Sequence, residues 1–304
     1  MENYGQRYLC KDCNKRFRLI NYQHKNEVQE MWNEYVFSKQ TLRELKNKFG
    51  YSKKQIRHIF KTLIVPKKEH MPRSLSLAVD TTFFGKRKTG QWGVVVFRDF
   101  KNKENLWWKF VDDETISEYM EGKLFLESLG HKIISVTCDG LPGLVSVFKE
   151  IPVQFCHFHQ TQIIKRYVTE NPKLIPGQEL LELIKTLTFN NQTTFTQKLN
   201  QYLLQNQNFL NEKSFDFTRK RYVYKHRRLR SALRSLKRNL PFLFTYQEFP
   251  ELNIPNTTNT LEAHFSHIKD VVRIHRGLTK NMKEKVLQTI LLNSSIVLDS
   301  EKNN

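Results

Sequence analysis

A chain of 304 residues exceeds one typical domain and buries a sizeable core, which points to one small module beside a larger body. Fifty lysines and arginines against thirty aspartates and glutamates leave a formal charge of +20, so the expected partner is a polyanion. Dispersed cations favour a phosphate backbone, where counterion release drives binding, over a membrane surface. No apolar run approaches the roughly 18 residues that span a bilayer, and the four scattered cysteines form no disulfide framework. A secreted scaffold and a membrane protein are thereby excluded, and a soluble, cytoplasmic protein is expected.

In chain order, residues 1–22 come first. Cys10 and Cys13 form a Cys-x-x-Cys knuckle among basic and aromatic residues, a partial zinc-ribbon-like leader. A structural zinc needs four N or S ligands, and His24 is the nearest third candidate, so zinc and two free thiols stand as equal readings. The missing knuckle would then lie upstream of Met1. From Asn26, Val28, Met31, Trp32 and Tyr35 recur at helical spacing. Thr41 with Glu44 and Ser52 with Gln55 are two capping boxes, with Gly50 ending the helix between them. Residues 26–66 therefore predict a helix-turn-helix DNA-binding region whose last helix offers Lys53, Lys54, Arg57, His58 and Lys61 to the major groove. A solvated basic face is the alternative.

After Pro66 and Pro72 the period becomes two. Leu75, Leu77 and Val79 predict a strand finishing at Asp80, followed by strands over 92–97 and 106–111 and a helix from Ile116 to Leu129. A buried strand Ile133–Cys138 then ends at Asp139-Gly140, and Pro142 opens a helix. A fifth strand over 153–159 leads into a helix over 163–168. This order predicts an α/β chain with a ribonuclease H-like core, residues 72–168, in which the first and fourth strands lie parallel and adjacent. Asp80 and Asp139 would then converge to share two divalent ions, Mg2+ or Mn2+, for phosphoryl transfer. Each aspartate alone is also an ordinary turn residue.

The third acid is Glu262, three residues after Asn259, which is placed to cap a helix. A plain capping-box glutamate competes with a metal ligand. The layout favours the ligand: Leu261, Phe265, Ile268 and Val272 form a core stripe, and Glu262, Ser266, Lys269, Arg273 and Arg276 share the next face. Residues 251–295 are accordingly assigned to the core as its final part, and residues 169–250 to a mostly helical insertion. Within the insertion, Leu229, Leu233, Leu236 and Leu240 make an apolar stripe, while Arg227, Arg230, Arg234 and Lys237 face DNA or simply solvent.

Val79-Asp80-Thr81-Thr82, Cys138-Asp139-Gly140, Cys156-His157-Phe158-His159, Asn256 to Glu262 and Arg273 to Leu278 together carry a family resemblance. They resemble the DDE transposases of bacterial insertion sequences related to Mutator-like elements, in particular a variant group with a zinc-ribbon leader. The resemblance covers most of the chain. It implies a triad of Asp80, Asp139 and Glu262, and an auxiliary Cys156 and His159 pair that supports the active site or the DNA. It also implies cleavage at transposon ends and joining to target DNA, by a homodimer or higher oligomer on double-stranded DNA in a prokaryotic, nucleoid-associated setting. The helical insertion before the glutamate is a family trait as well, and here Glu262 follows Asp139 by 123 positions. Two rivals share these features: a non-catalytic DNA-binding regulator derived from a transposase, and a nuclease or resolvase of the same fold.

Overall fold

The structure, a computed structural model, describes residues 7–18, 22–86, 90–275 and 277–294. Two compact units emerge, one spanning Lys68–Ser266 and one assembled from the chain's two ends, Met1–Lys67 with His267–Asn304. The latter begins with a hairpin of β1 (Arg7–Leu9) and β2 (Arg16–Arg18), followed by α1 (Tyr22–Val36), α2 (Leu42–Phe49) and α3 (Lys53–Thr62). Both expected capping boxes are made: Thr41 and Ser52 each accept from the backbone of the third helical residue, and Glu44 and Gln55 reach back. Gly50 ends α2 at φ 74°, a left-handed turn that costs glycine nothing. Met31, Trp32, Tyr35, Leu45, Ile56 and Phe60 supply the buried side of these helices.

The larger unit opens with β3 (Ser74–Phe84), β4 (Trp92–Asp99) and β5 (Glu104–Val111), then α4 (Ile116–Ser128), β6 (Lys132–Cys138), α5 (Leu144–Val147), β7 (Val153–Phe155) and α6 (His157–Val168). They build a mixed five-stranded sheet in the order β5-β4-β3-β6-β7. Antiparallel pairs join β3, β4 and β5, and parallel pairs join β3 to β6 and β6 to β7. This is the expected order of elements, with three corrections. First, β3 does not stop at Asp80: Thr81 to Phe84 are β-formers and stay paired with β4 as far as Phe84 opposite Trp92. Second, Pro142 precedes α5 without opening it, Gly143 being the residue before the helix. Third, β7 ends at Phe155, and His157 to His159 are helical. Leu75, Leu77 and Val79 on β3, Val95 and Phe97 on β4, and Tyr119 and Leu126 on α4 anchor one continuous apolar core.

The insertion is less uniformly helical than the sequence suggests. After α7 (Ile175–Lys185), α8 (Gln192–Gln205) and α9 (Gln207–Asn211) comes a hairpin of β8 (Lys213–Asp216) and β9 (Arg221–Tyr224). Its apolar alternation is too short and too interleaved with charge to stand out as strand. Then α10 (Arg227–Asn239) buries Leu229, Leu233 and Leu236 as expected, and a tight turn through Pro241 leads to α11 (Thr245–Glu248). Asn239 Nδ2 donates to Gln160 Oε1 at 2.8 Å, tying α10 to α6.

The chain ends with α12 (Asn259–Ile274) and α13 (Lys280–Leu292). Residues 251–295 do not stay with the sheet throughout: from His267 onward they belong to the unit of the chain's ends. The physical reason is α1, against which α13 packs with its own Val286, Leu287 and Ile290 buried. Trp32 Nε1 donates to Thr289 Oγ1 at 3.1 Å, and Lys285 Nζ donates to the carbonyls of Phe60, Lys61 and Leu63 at 3.0, 2.8 and 2.7 Å. That lysine caps the C-terminal end of α3, where carbonyls lack helical partners. On α12 the buried stripe is Leu261, Phe265, Ile268 and Val271, with Val271 in the place expected for the half-buried Val272. No helix among the described residues is long and apolar enough to cross a membrane.

Candidate metal centre

Asp80 lies where its parallel neighbour runs out. The last β3–β6 pair is Ala78 opposite Thr137, whereas Asp80 itself is held on the other side opposite Val96 of β4. The residue is 5% exposed, and its Oδ1 accepts from the Thr81 amide at 2.8 Å. Asp139 directly follows Cys138, the final residue of β6, so both aspartates stand just past the last β3–β6 pair. Asp139 Oδ1 accepts from the Leu141 amide at 2.9 Å, closing a turn in which Gly140 adopts φ 81°. A Cβ on Gly140 would sit 3.0 Å from the Phe155 ring, so glycine also permits that packing.

Cys156 leads into α6, and its amide donates to Cys138 O at 2.8 Å, pinning the helix start against β6. Because the following residues are helical, Cys156 and His159 fall three apart on one side, where a strand would have sent them to opposite faces. His159 Nε2 lies 3.0 Å from Glu262 Oε1 and 3.9 Å from Asp80 Oδ2. His157 turns away, its Nε2 2.5 Å from the carbonyl of Leu243.

Glu262 is placed by the segment before α12. Thr137 Oγ1 donates to Pro255 O at 2.8 Å, the His157 amide donates to Asn256 O at 2.9 Å, and both the amide and the hydroxyl of Thr258 donate to Cys156 Sγ at 3.3 Å. Asn259 therefore does not cap the helix: it is the first helical residue, and Thr258 O accepts from the Glu262 amide at 3.0 Å. With the cap one residue earlier than expected, the capping-box explanation of Glu262 fails and its carboxylate pairs with His159. Farther along, buried Arg98 donates to Asn105 Oδ1 at 2.7 Å, and Asn105 Nδ2 meets His264 Nε2 at 2.9 Å, which fixes α12 to the sheet two residues past Glu262.

One donor atom each from Asp80, His159 and Glu262 lies within 4.8 Å of the others. Asp139 stands outside that set, yet its charge acts on Asp80. Burial holds the Asp80 carboxyl well above its usual range; His159 pulls it down, and Asp139 and Glu262 push it up. Burial disfavours charge on His159, but Cys156, Glu262 and Asp80 outweigh it and raise the imidazole to about 11. Burial likewise opposes ionisation of Cys156, and hydrogen bonding to His159 brings the thiol below its ordinary value. His159 thus stands between the carboxyl groups of Asp80 and Glu262, with the Cys156 sulfur three residues before it.

One acid escaped the sequence reading. Glu114 accepts from the Tyr119 hydroxyl, which lies 2.9 Å from Thr81 Oγ1. Burial raises the Glu114 carboxyl, and the charge of Asp139 adds to the rise. The run Asp112-Asp113-Glu114 just past β5 was the available signal.

The remaining expected residues are dispersed. Lys53, Lys54, Arg57 and Lys61 are exposed on α3, Arg227 and Arg234 are exposed on α10, and Arg230 is half-buried. Lys269 and Arg273 are exposed on α12, with Arg273 3.0 Å from Asp270, and Arg276 lies outside the described residues. Cys10 and Cys13 sit at the turn of the β1–β2 hairpin, where the Cys10 amide donates to Lys15 O at 2.9 Å. Backbone amides of Cys13 and Asp12 lower the Cys10 thiol. Among the described residues no third donor joins these two cysteines, and the side chain of His24 lies outside the described residues.

No family model and no curated protein matches the chain. Among solved structures, a chain from the cryo-EM structure of a simian T-cell lymphotropic virus intasome in complex with PP2A regulatory subunit B56 gamma is similar at 14% identity, over 68% of each chain, with a TM-score of 0.21. A score that low establishes no shared fold.

Proposed function

We propose that this chain is a DDE-type DNA transposase with a ribonuclease H-like core, cutting DNA at transposon ends and joining them to target DNA. The observation that carries the proposal is the convergence of Asp80, which is buried, and Glu262, which is half-buried, 182 positions apart in sequence, where the β3–β6 pairing ends, with Asp139 beside them. Like charges drawn together around one point repel one another, and a divalent ion between them relieves that repulsion. In the same reading α2 and α3 form a helix-turn-helix and the +20 charge serves the DNA backbone.

The carboxylates suit Mg2+ or Mn2+, because carboxylate oxygens are the hard ligands these ions prefer. Asp80, Glu262 and Asp139 would hold the ions. When bound, such ions activate a water or hydroxyl nucleophile and stabilise the leaving oxygen. The chain's own part is positional. Cys156 holds the start of α12 through Thr258 so that Glu262 faces Asp80, and His159 balances the two carboxylates while the site is free of cations.

The test is incubation of the purified protein with DNA carrying the candidate terminal repeats and Mn2+ or Mg2+, scoring cleaved and joined products. Asp80→Ala, Asp139→Ala and Glu262→Gln should each abolish both while DNA binding persists. A variant that still cuts removes its residue from the triad. Cleavage without joining favours a nuclease or resolvase, and binding without either favours a regulator.

A further inference from the structure

The metal centre accounts for the acids but not for the most concentrated charge in the molecule. Between Lys213 and Arg238 the sequence holds eleven lysines and arginines against a single acid, Asp216. Half of the net +20 therefore lies in this short stretch, which forms the β8–β9 hairpin and α10. Asp216 neutralises little of it, since Arg219 and Arg227 both approach it only to 3.9 Å. Lys220, Arg221, Arg234 and Lys237 make no ion pair with a carboxylate among the described residues.

The same hairpin exposes aromatic rings. The register pairs Lys213 with Tyr224 and Phe215 with Tyr222, so Lys213, Phe215, Tyr222 and Tyr224 share one face. Tyr222 is 71% exposed, and Phe217 in the connecting turn is 84% exposed. Phe215 meets Phe217 and Tyr222 edge-on, at centroid distances of 5.1 and 5.3 Å, which holds the rings apart. Tyr224 is already taken: the Arg230 guanidinium stacks over it at 3.5 Å and joins the hairpin to α10. Beside Tyr222, a concavity of about 380 Å3 is lined by Arg219, Arg221, Arg227 and Arg234.

We infer that this ribbon and α10 bind single-stranded DNA, with Phe217 and Tyr222 stacking on unpaired bases and the arginines tracking the backbone. Charge selects a polyanion and repels a second copy of this surface. The rings then select among polyanions, because a duplex stacks its base faces inward and offers them to a flat ring only at its ends, whereas an unpaired strand offers every one. The choice of DNA over RNA rests on the proposed transposase reading; the strand preference rests on the ribbon alone.

The experiment is fluorescence anisotropy of the full chain in EDTA with three labelled probes of one sequence: single-stranded DNA, blunt duplex DNA and single-stranded RNA. Single-stranded DNA should bind about tenfold more tightly than the duplex. The triple variant Phe215→Ser, Phe217→Ser and Tyr222→Ser should erase that advantage and leave duplex binding unchanged. Its exposed positions spare the core, and circular dichroism checks the fold. Arg221→Gln with Arg234→Gln should weaken every probe and flatten the salt dependence. Equal binding of single strand and duplex overturns the inference, as does an undiminished preference in the triple variant or tighter binding of RNA. A chain that shows the preference but cuts nothing with Mn2+ refutes the transposase chemistry alone; one that cuts without the preference refutes this surface alone.

Discussion

Replacing Cys156 with alanine tests how Glu262 is held. The sulfur accepts from both the amide and the hydroxyl of Thr258, a residue with no exposure. Alanine strands two buried donors, each costing about 1–3 kcal/mol, with sulfur acceptors at the weak end of that range. Adding the small void left by the sulfur, the expected loss is about 3 kcal/mol in the unfolding free energy from a denaturant titration. Serine keeps an acceptor and should lose about 1 kcal/mol. The effect reaches the candidate metal centre because Thr258 O receives the Glu262 amide one helical turn on, so loosening Thr258 frays the turn that carries the carboxylate. Calorimetric Mn2+ affinity should accordingly fall ten- to a hundredfold in Cys156→Ala, the range seen when groups supporting metal ligands are removed. If alanine and serine behave alike in stability, and Mn2+ affinity stays within twofold, the sulfur does not organise the site.

Three further outcomes are expected. Burial raises the Asp80 carboxyl, so its stabilising share is complete only below the unfolded carboxylate value and is lost as pH rises through the folded one. Asp80→Asn should therefore raise the melting temperature of the metal-free protein at neutral pH and cancel any stabilisation by Mn2+, as thermal scans with and without the ion would reveal. With His159 raised to about 11, binding a cation at its neighbours must displace protons, so Mn2+ affinity should increase with pH. Calorimetry in two buffers of different ionisation enthalpy measures the protons released, and none released at neutral pH would contradict that protonation state. Lys285→Ala strips three carbonyls of their donor and should cost about 1–3 kcal/mol, read as earlier loss of the Trp32 fluorescence environment in denaturant.

Much of this architecture was written in local pattern. The capping boxes at Thr41 and Ser52, the alternation of Leu75, Leu77 and Val79, and the apolar run ending at Cys138 each report a periodicity that neighbouring residues settle among themselves. What escaped depended on distant partners. The end of β3 was misplaced because β4 goes on pairing beyond Asp80, and the cap of α12 was misplaced because Thr258 answers to Cys156, 102 positions away. His159 ranked as auxiliary for the same reason: only with Phe155 ending β7 and the chain turning helical does its ring meet Glu262. Glu114 drew no notice because only the fold brings Tyr119 and the charge of Asp139 to it. The β8–β9 hairpin was hidden by its own chemistry, since arginine and lysine dilute the alternation that marks a strand.

The closing of the first helices by the last one sets a timetable for synthesis. Trp32 and Phe60 leave the ribosome before Lys285 and Thr289, which bond to them and follow only after the roughly 200 residues of the sheet-bearing unit, about 10–40 s later at ordinary elongation rates. Until then the lysine that caps α3 does not exist, and the amino-terminal helices remain a half-built unit with its greasy side bare. A ribosome that stalls or a message that breaks before α13 therefore releases a chain in which that unit is unfinished, prey to proteases, however complete its acidic cluster.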